Sequence, residues 1–180
     1  MKIIKHTLAT LLLILVYACD VDDDANTDES LPKFSFRISG DGFSRTFTEE
    51  DNLENIQLNL KHDADYDFIF SGGDSGGAKL IQMKYPTDYI EFVDVPFPPA
   101  PWEQAFISGS LSSIIYWEGD PNDPVTGNIL SGTLRPNGES VSIELYFRVE
   151  DFGGDSGISN VTDGTLQIFI ANHNTEIITF

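Results

Sequence analysis

From Lys33 onward apolar side chains return at every second residue, and no stretch carries the helical repeat. Phe34, Phe36 and Ile38 alternate with polar neighbours, as do Ile56, Leu58 and Leu60, then Tyr66, Phe68 and Phe70, and later Leu166, Ile168 and Ile170. Successive side chains of an extended chain point to opposite faces, so this pattern predicts strands with one face buried. Shorter segments of the same character are Phe43–Thr48, Lys79–Tyr85, Tyr89–Val93, Phe106–Ser108, Ile114–Trp117, Ile129–Leu134, Val141–Val149 and a short edge at Ile177–Phe180. Turn formers separate them: Gly40-Asp41-Gly42, the Lys61–Asp65 stretch, GDPNDPVTG at 119–127 and Arg135-Pro136-Asn137-Gly138. Many short strands with regular turns predict an all-β sandwich or barrel. The core is expected to include Phe68, Phe70, Leu80, Leu145, Phe147, Leu166 and Ile168. Val95–Pro101, VPFPPAP, is expected to be irregular, because proline cannot donate to a ladder.

The first thirty residues are of another kind. Lys2 and Lys5 precede an apolar run, Leu8 to Val16, which is too short to cross about 30 Å of hydrocarbon as a helix and has the build of a cleaved export signal. It ends Val16-Tyr17-Ala18-Cys19. This resembles the lipobox of bacterial lipoproteins, with Tyr17 bulkier than usual. The resemblance implies acylation of the Cys19 thiol and removal of residues 1–18. Cys19 is the only cysteine of the chain, so no internal disulfide is available. Acyl chains contribute roughly 0.8 kcal/mol per buried methylene, enough for two or three to hold a protein on a bilayer. The acidic stretch that follows, Asp20 to Ser30, is expected to be a disordered tether. Acidic residues directly after the lipidated cysteine resemble the surface-export signal of Bacteroidetes lipoproteins. That implies an outer-membrane lipoprotein exposed at the cell surface. An EF-hand beginning at Asp20 is excluded by Ala25 and Leu31 at the positions that need glycine and glutamate.

About 160 residues remain after Cys19, the size of one domain, expected at 31–180. The alternative is a pair of mini-domains, 31–95 and 102–180. Twenty-nine acidic against ten basic residues give a net charge of −19. Such a surface excludes nucleic acid as a partner and leaves cations, a protein or a glycan.

The last third, TLRPNGESVSIELYFRVEDFGG followed by GTLQIFIAN, resembles strands E, F and G of bacterial immunoglobulin-like domains. YDFIFSGGDSGGAKLIQM resembles strand B, the B–C loop and strand C of the same family. The fold this implies is an immunoglobulin-like antiparallel β-sandwich, with Pro86–Pro124 as an insertion or extra strands.

The string GGDSG occurs twice, at Gly72–Gly76 and Gly153–Gly157. If the strands are B and F, these are the B–C and F–G loops, which share one end of such a sandwich. Asp74, Ser75, Asp155 and Ser156 are therefore candidate binding residues. A calcium ion held by Asp74 and Asp155, completed by Asp151 or Asp163, is the cofactor expectation. GDSGG also resembles the nucleophile motif of trypsin-like proteases. That chemistry needs a histidine base and a buried aspartate, whereas His62 and His173 fall in turns and His6 in the signal. No catalytic residues are assigned. Trp102, Trp117 and Tyr116 offer a second expectation, an aromatic platform for a glycan. Function is thus read as a lipid-anchored, non-catalytic binding or adhesion module, with a carbohydrate-binding accessory lipoprotein as the alternative.

Overall fold

A computed structural model describes residues 30–154 and 157–180. The expected export signal, Cys19 and the expected tether before Ser30 lie outside the described residues, as do Asp155 and Ser156. The described chain forms, in order, β1 (Lys33–Gly40), β2 (Phe43–Thr48), β3 (Ile56–Lys61), β4 (Tyr66–Gly73), β5 (Ala78–Pro86), β6 (Ile90–Phe92), β7 (Glu103–Phe106), β8 (Ser112–Glu118), β9 (Gly127–Pro136), β10 (Val141–Asp151), β11 (Val161–Ala171) and β12 (Glu176–Thr179). One turn of 3-10 helix, Leu53–Asn55, precedes β3.

Two sheets face each other. One runs β2-β1-β4-β9-β6 and the other β12-β3-β11-β10-β5-β8-β7. Within the first, β1-β4-β9-β6 is the A-B-E-D order of an immunoglobulin sandwich. Within the second, β11-β10-β5 is G-F-C. The fold is therefore an all-β, immunoglobulin-like sandwich: the alternation predicted its strands, and the resemblance implied their order. β7 and β8 are the extra strands, laid beside strand C from the segment between Pro86 and Pro124. The sheets are not wholly antiparallel: β3 pairs with β11 in parallel, Gln57 opposite Gln167 through Lys61 opposite Ala171. Each sheet takes strands from both sides of Val95–Pro101, and the buried apolar residues form a single cluster.

Phenylalanines dominate that core. Phe147 of strand F meets Phe34 at 5.5 Å, Phe36 at 4.9 Å and Phe70 at 5.3 Å between ring centroids, tying three strands of two sheets together. Each such ring contributes roughly 1.5–3 kcal/mol on burial. Gly72 faces inward at one end, where a Cβ would come within 2.7 Å of Ile81 and Val149. One core residue differs from expectation. Leu80 is only half-buried, and Ile81, Met83 and Tyr85 turn inward instead. The cause is a bulge: Asp151 pairs with Ala78 and Glu150 with Leu80, so Lys79 is one residue too many and shifts the alternation.

β6 is too short to cover the whole of β9. The chain from 93 to 102 completes the cover with individual bonds. Val93 N donates to Thr133 O at 2.9 Å, Asp94 Oδ2 accepts from Thr133 N at 2.5 Å, and Trp102 Nε1 donates to Ile129 O at 3.0 Å.

Candidate functional site

Strand β4 ends in Gly72-Gly73, opposite Asn128 and Gly127 of β9. These glycines are required by close backbone approach. A Cβ on Gly73 would lie 2.6 Å from Thr126 O, and one on Gly127 would lie 2.3 Å from Gly72 O. On β4 and β9 the outer face therefore has no side chain at this corner, and Lys33 of β1 stands opposite Gly73 beside it. A cleft of about 700 Å³ opens there. Its floor is Ser35, Ser71 and the glycine pair, with the Ser35 and Ser71 hydroxyls 2.9 Å apart. Leu31 and Phe34 supply apolar lining, and Glu49 and Glu50 form a rim. That rim is fixed. Glu49 Oε2 accepts from Phe34 N at 3.1 Å, and Asp51 closes the turn by accepting from Thr48 N at 2.8 Å while pairing with Arg45 at 3.1 Å.

The B–C loop forms the other wall. Asp74 is buried; its Oδ2 accepts from Gly76 N at 2.7 Å, and its own N donates to Thr126 O at 2.8 Å. Gly77, at φ +114°, turns the chain back where a side chain would meet Pro124. The loop is thus held to the β8–β9 connection, and Phe152 N donates to Gly77 O at 3.3 Å to join it to the start of the F–G loop. The F–G loop is closed at its base by Asp151. This buried carboxylate accepts from Asn160 N at 2.6 Å and from Asn160 Nδ2 at 2.8 Å. Gly153, at φ +66°, passes so close to Ile158 O that a Cβ would collide at 1.9 Å.

The structure brings the B–C loop and the described part of the F–G loop to one end. It also brings the start of the described chain there. Ser30 Oγ lies 3.3 Å from Asp74 Oδ1, to which it donates, and 3.0 Å from Ser75 Oγ, while Asn160 Nδ2 reaches Ser30 O at 3.5 Å. The chain therefore enters the sandwich at the end that carries the GGDSG loops.

Asp151 and Asp163, the alternatives expected to complete a calcium site with Asp74 and Asp155, lie on opposite faces of one sheet. Asp163 lies on the outer face of β11, opposite Arg148, and accepts from the Tyr146 hydroxyl at 3.1 Å. Asp151 points into the interior, on the other face of the same sheet, with both oxygens engaged by Asn160. Strand alternation separates the two. Asp155 and Ser156 are outside the described residues, and among the described residues no three Asp, Glu, His or Cys side chains are grouped to hold a metal ion.

The aromatic platform is corrected as well. Trp102 and Trp117 keep only 5% and 8% of their surface and belong to the core. Trp102 packs on Phe70 at 6.2 Å, and Tyr116 donates to Glu103 at 2.8 Å on the outer face of β8. The cleft beside Gly73 was not legible in the sequence. Its signal is the facing glycine pair Gly73–Gly127, which requires knowing that β4 and β9 are neighbours.

On the outer face of the F strand an ion-pair ladder runs from Lys79 to Glu150 at 2.6 Å and from Glu150 to Arg148 at 3.0 Å. The Lys79 ammonium, and after it Arg148, holds the Glu150 carboxyl below its ordinary range against the opposing effect of burial.

No family model matches the sequence, and no curated protein does. Among solved structures, the chain is similar to a cohesin module from a Clostridium perfringens family 33 glycoside hydrolase, at a TM-score of 0.38 and 10% identity, over 64% of this chain and 96% of that one. It is also similar to a chain of the complex between CaDoc0917 and CaCohA2, at a TM-score of 0.36 and 13% identity, over 64% of this chain and 99% of that one. At these scores the fold and the function have to be argued from the chain itself.

Proposed function

We propose that this chain is a non-catalytic binding module, displayed at the cell envelope on a lipid anchor at Cys19, with the cleft beside the B–C loop as its ligand seat. The cleft carries the reading. Its volume of about 700 Å³ falls within the range of small-molecule pockets. Its glycine floor is fixed by backbone contacts, and its loops are held by internal hydrogen bonds, so the shape exists before a ligand arrives. Preformed sites bind without the cost of ordering loops. The lining of serine, threonine and glycine around Leu31 and Phe34, with Lys33, Glu49 and Glu50 about it, suits a hydroxyl- or amide-bearing ligand with one apolar face.

The anchor fits this arrangement. Ser30 is the eleventh residue after Cys19, a reach of up to about 36–40 Å. The loop end would then face the membrane, and the sheet faces and the opposite end would face outward.

Two experiments test the two parts. A ligand screen on the mature protein should find compounds that raise its melting temperature, since a ligand bound only by the folded state stabilises it by mass action. Ser71→Trp fills the cleft from an outward-facing floor position, and it should abolish that shift without lowering the ligand-free melting temperature by more than a few degrees. A ligand that stabilises wild type and Ser71→Trp equally places the site elsewhere. For the anchor, fatty-acid labelling should mark the wild type and leave Cys19→Ser unlabelled and uncleaved; equal labelling of both removes the lipobox.

A further inference from the structure

The seven-stranded sheet ends in β7, and all four of its residues, Glu103 to Phe106, are exposed. Its pairing with β8 fixes which backbone groups are spent. Ile107 N donates to Ser112 O at 3.1 Å, and the register runs from there through Ala105 opposite Ile114 to Glu103 opposite Tyr116. Antiparallel pairs alternate between bonded and non-bonded, so the N–H and C=O of Gln104 and Phe106 point away from β8 along the open edge. The neighbouring edge of β9 is covered by the chain from 93 to 102. The β7 edge has no such cover among the described residues, and Phe106 and Leu111 expose 77% and 67% of their surface beside it.

Two observations identify the chemistry of what would pair there. The first is charge. Between Lys84 and Arg135 there is no lysine, arginine or histidine, while seven aspartates and glutamates occur. The second is a cavity of about 520 Å³ on the inner side of the edge, lined by Gln104, Tyr85, Phe92 and Phe97, with Glu91 and Asp94 among its walls. Phe92 and Phe97 stack at 4.0 Å, and Gln104 Nε2 donates to the Tyr85 hydroxyl at 2.6 Å, so the lining is rigid. Asp94 is held by Thr133 N, and Glu91 stands opposite Arg135 on β9.

We propose that the β7 edge is a docking site for an extended, lysine- or arginine-bearing segment of a partner protein, which adds to the sheet as an eighth strand. An added strand lies about 4.8 Å from β7, and every second side chain of it shares the face of Gln104. A lysine or arginine at that position lays its apolar stem on Phe92 and Phe97 and carries its charge toward Asp94 and Glu91. A second copy of this chain is the poorer occupant. Its own β7, Glu-Gln-Ala-Phe, brings no cation, and each copy carries a net charge of −19.

The probe is a capped heptapeptide alternating lysine with valine, with a glutamate–valine peptide as its control. With the mature protein, the lysine peptide should bind and slow hydrogen exchange at the Gln104 and Phe106 amides. The glutamate peptide should do neither. Phe106→Pro removes an outward N–H that β8 does not use, a position where an edge strand accepts proline. It should weaken binding at least tenfold, and Asp94→Asn severalfold, each with an unchanged far-ultraviolet spectrum. Phe106→Lys, which keeps the backbone donor but adds like charge, gives the same loss if Phe106→Pro does not fold. Binding that is indifferent to these substitutions is general attraction to an acidic protein and overturns the proposal. So does protection confined to other strands. Concentration-dependent dimers that vanish in Phe106→Pro would assign the edge to a second copy and overturn it equally.

Discussion

Asp151 and Asn160 form a closed clasp: one carboxylate accepts both the backbone and the side-chain N–H of a residue nine positions later. Asp151 is almost fully buried, so it has no water to replace either bond. The F–G loop starts and returns at this point, beside the B–C loop it touches through Phe152.

Asp151→Ala should therefore cost more than a surface substitution. It removes the acceptor of the Asn160 backbone N–H and one acceptor of its side-chain amide, and an unsatisfied buried polar group costs about 1–3 kcal/mol. The expected loss is about 2–4 kcal/mol, a fall of several degrees in melting temperature for a domain of this size. Asp151→Asn keeps one acceptor and should cost less. Hydrogen exchange at the Asn160 amide should accelerate in Asp151→Ala ahead of the core strands.

The bulge at Lys79 makes a second prediction, because it decides which of two adjacent apolar residues is buried. Ile81→Ala should cost about 2–5 kcal/mol, the range for a large aliphatic core residue, and Leu80→Ala at most about 1 kcal/mol. Urea denaturation of the two variants checks it. A larger loss at Leu80 would mean the strand is not bulged.

The same pair of residues shows what a sequence discloses about this fold. Alternation is local, so Phe34 to Ile38, Ile56 to Leu60, Tyr66 to Phe70 and Leu166 to Ile170 announce their buried faces without help from the rest of the chain. A bulge inserts one residue and inverts the alternation beyond it, and Lys-Leu-Ile-Gln carries no local mark of where that happens. The parallel pairing of β3 with β11 joins residues more than a hundred positions apart. The site follows the same division. The repeated GGDSG strings draw attention to two loops through their turn chemistry alone. The roles of Asp151, as a clasp on Asn160, and of Gly127, as the strand partner of Gly73, depend on pairings made only once the sheets form. Trp102 reads as an exposed ring in a proline-rich stretch until the open edge of β9 gives its N–H a partner.

Glu150 predicts a pH dependence. The Lys79 ammonium, followed by Arg148, lowers its pKa in the folded protein from an ordinary value of 4.5. A carboxylate with a depressed folded pKa contributes stability that is complete above the ordinary value and disappears as pH falls through the folded one. Glu150→Gln should thus lower the melting temperature near neutral pH and lose less on acidification. The two curves should converge only once the pH has fallen below the depressed folded pKa. Both groups are partly exposed, so the difference should be small and should shrink in about 0.5 M salt. A constant offset between the curves from neutral pH into acid would assign the effect of the substitution to packing.

Trp102 separates the core reading from the glycan reading. Its ring packs on Phe70, and its Nε1 donates to Ile129 O on a stretch of β9 that has β4 on one side and no strand on the other. Trp102→Phe retains a ring and removes the donor, so it should cost about 1–2 kcal/mol through the unpaired carbonyl. Trp102→Ala should cost about 3–5 kcal/mol through the cavity as well. The emission of Trp102, isolated in a Trp117→Phe background, should be blue-shifted and poorly quenched by iodide. Neither property should change when soluble oligosaccharides are added to millimolar concentration. If a sugar instead quenches or shifts that emission while Trp102→Phe leaves stability untouched, the ring is a binding surface and the cover over β9 must come from the bonds at Thr133 alone.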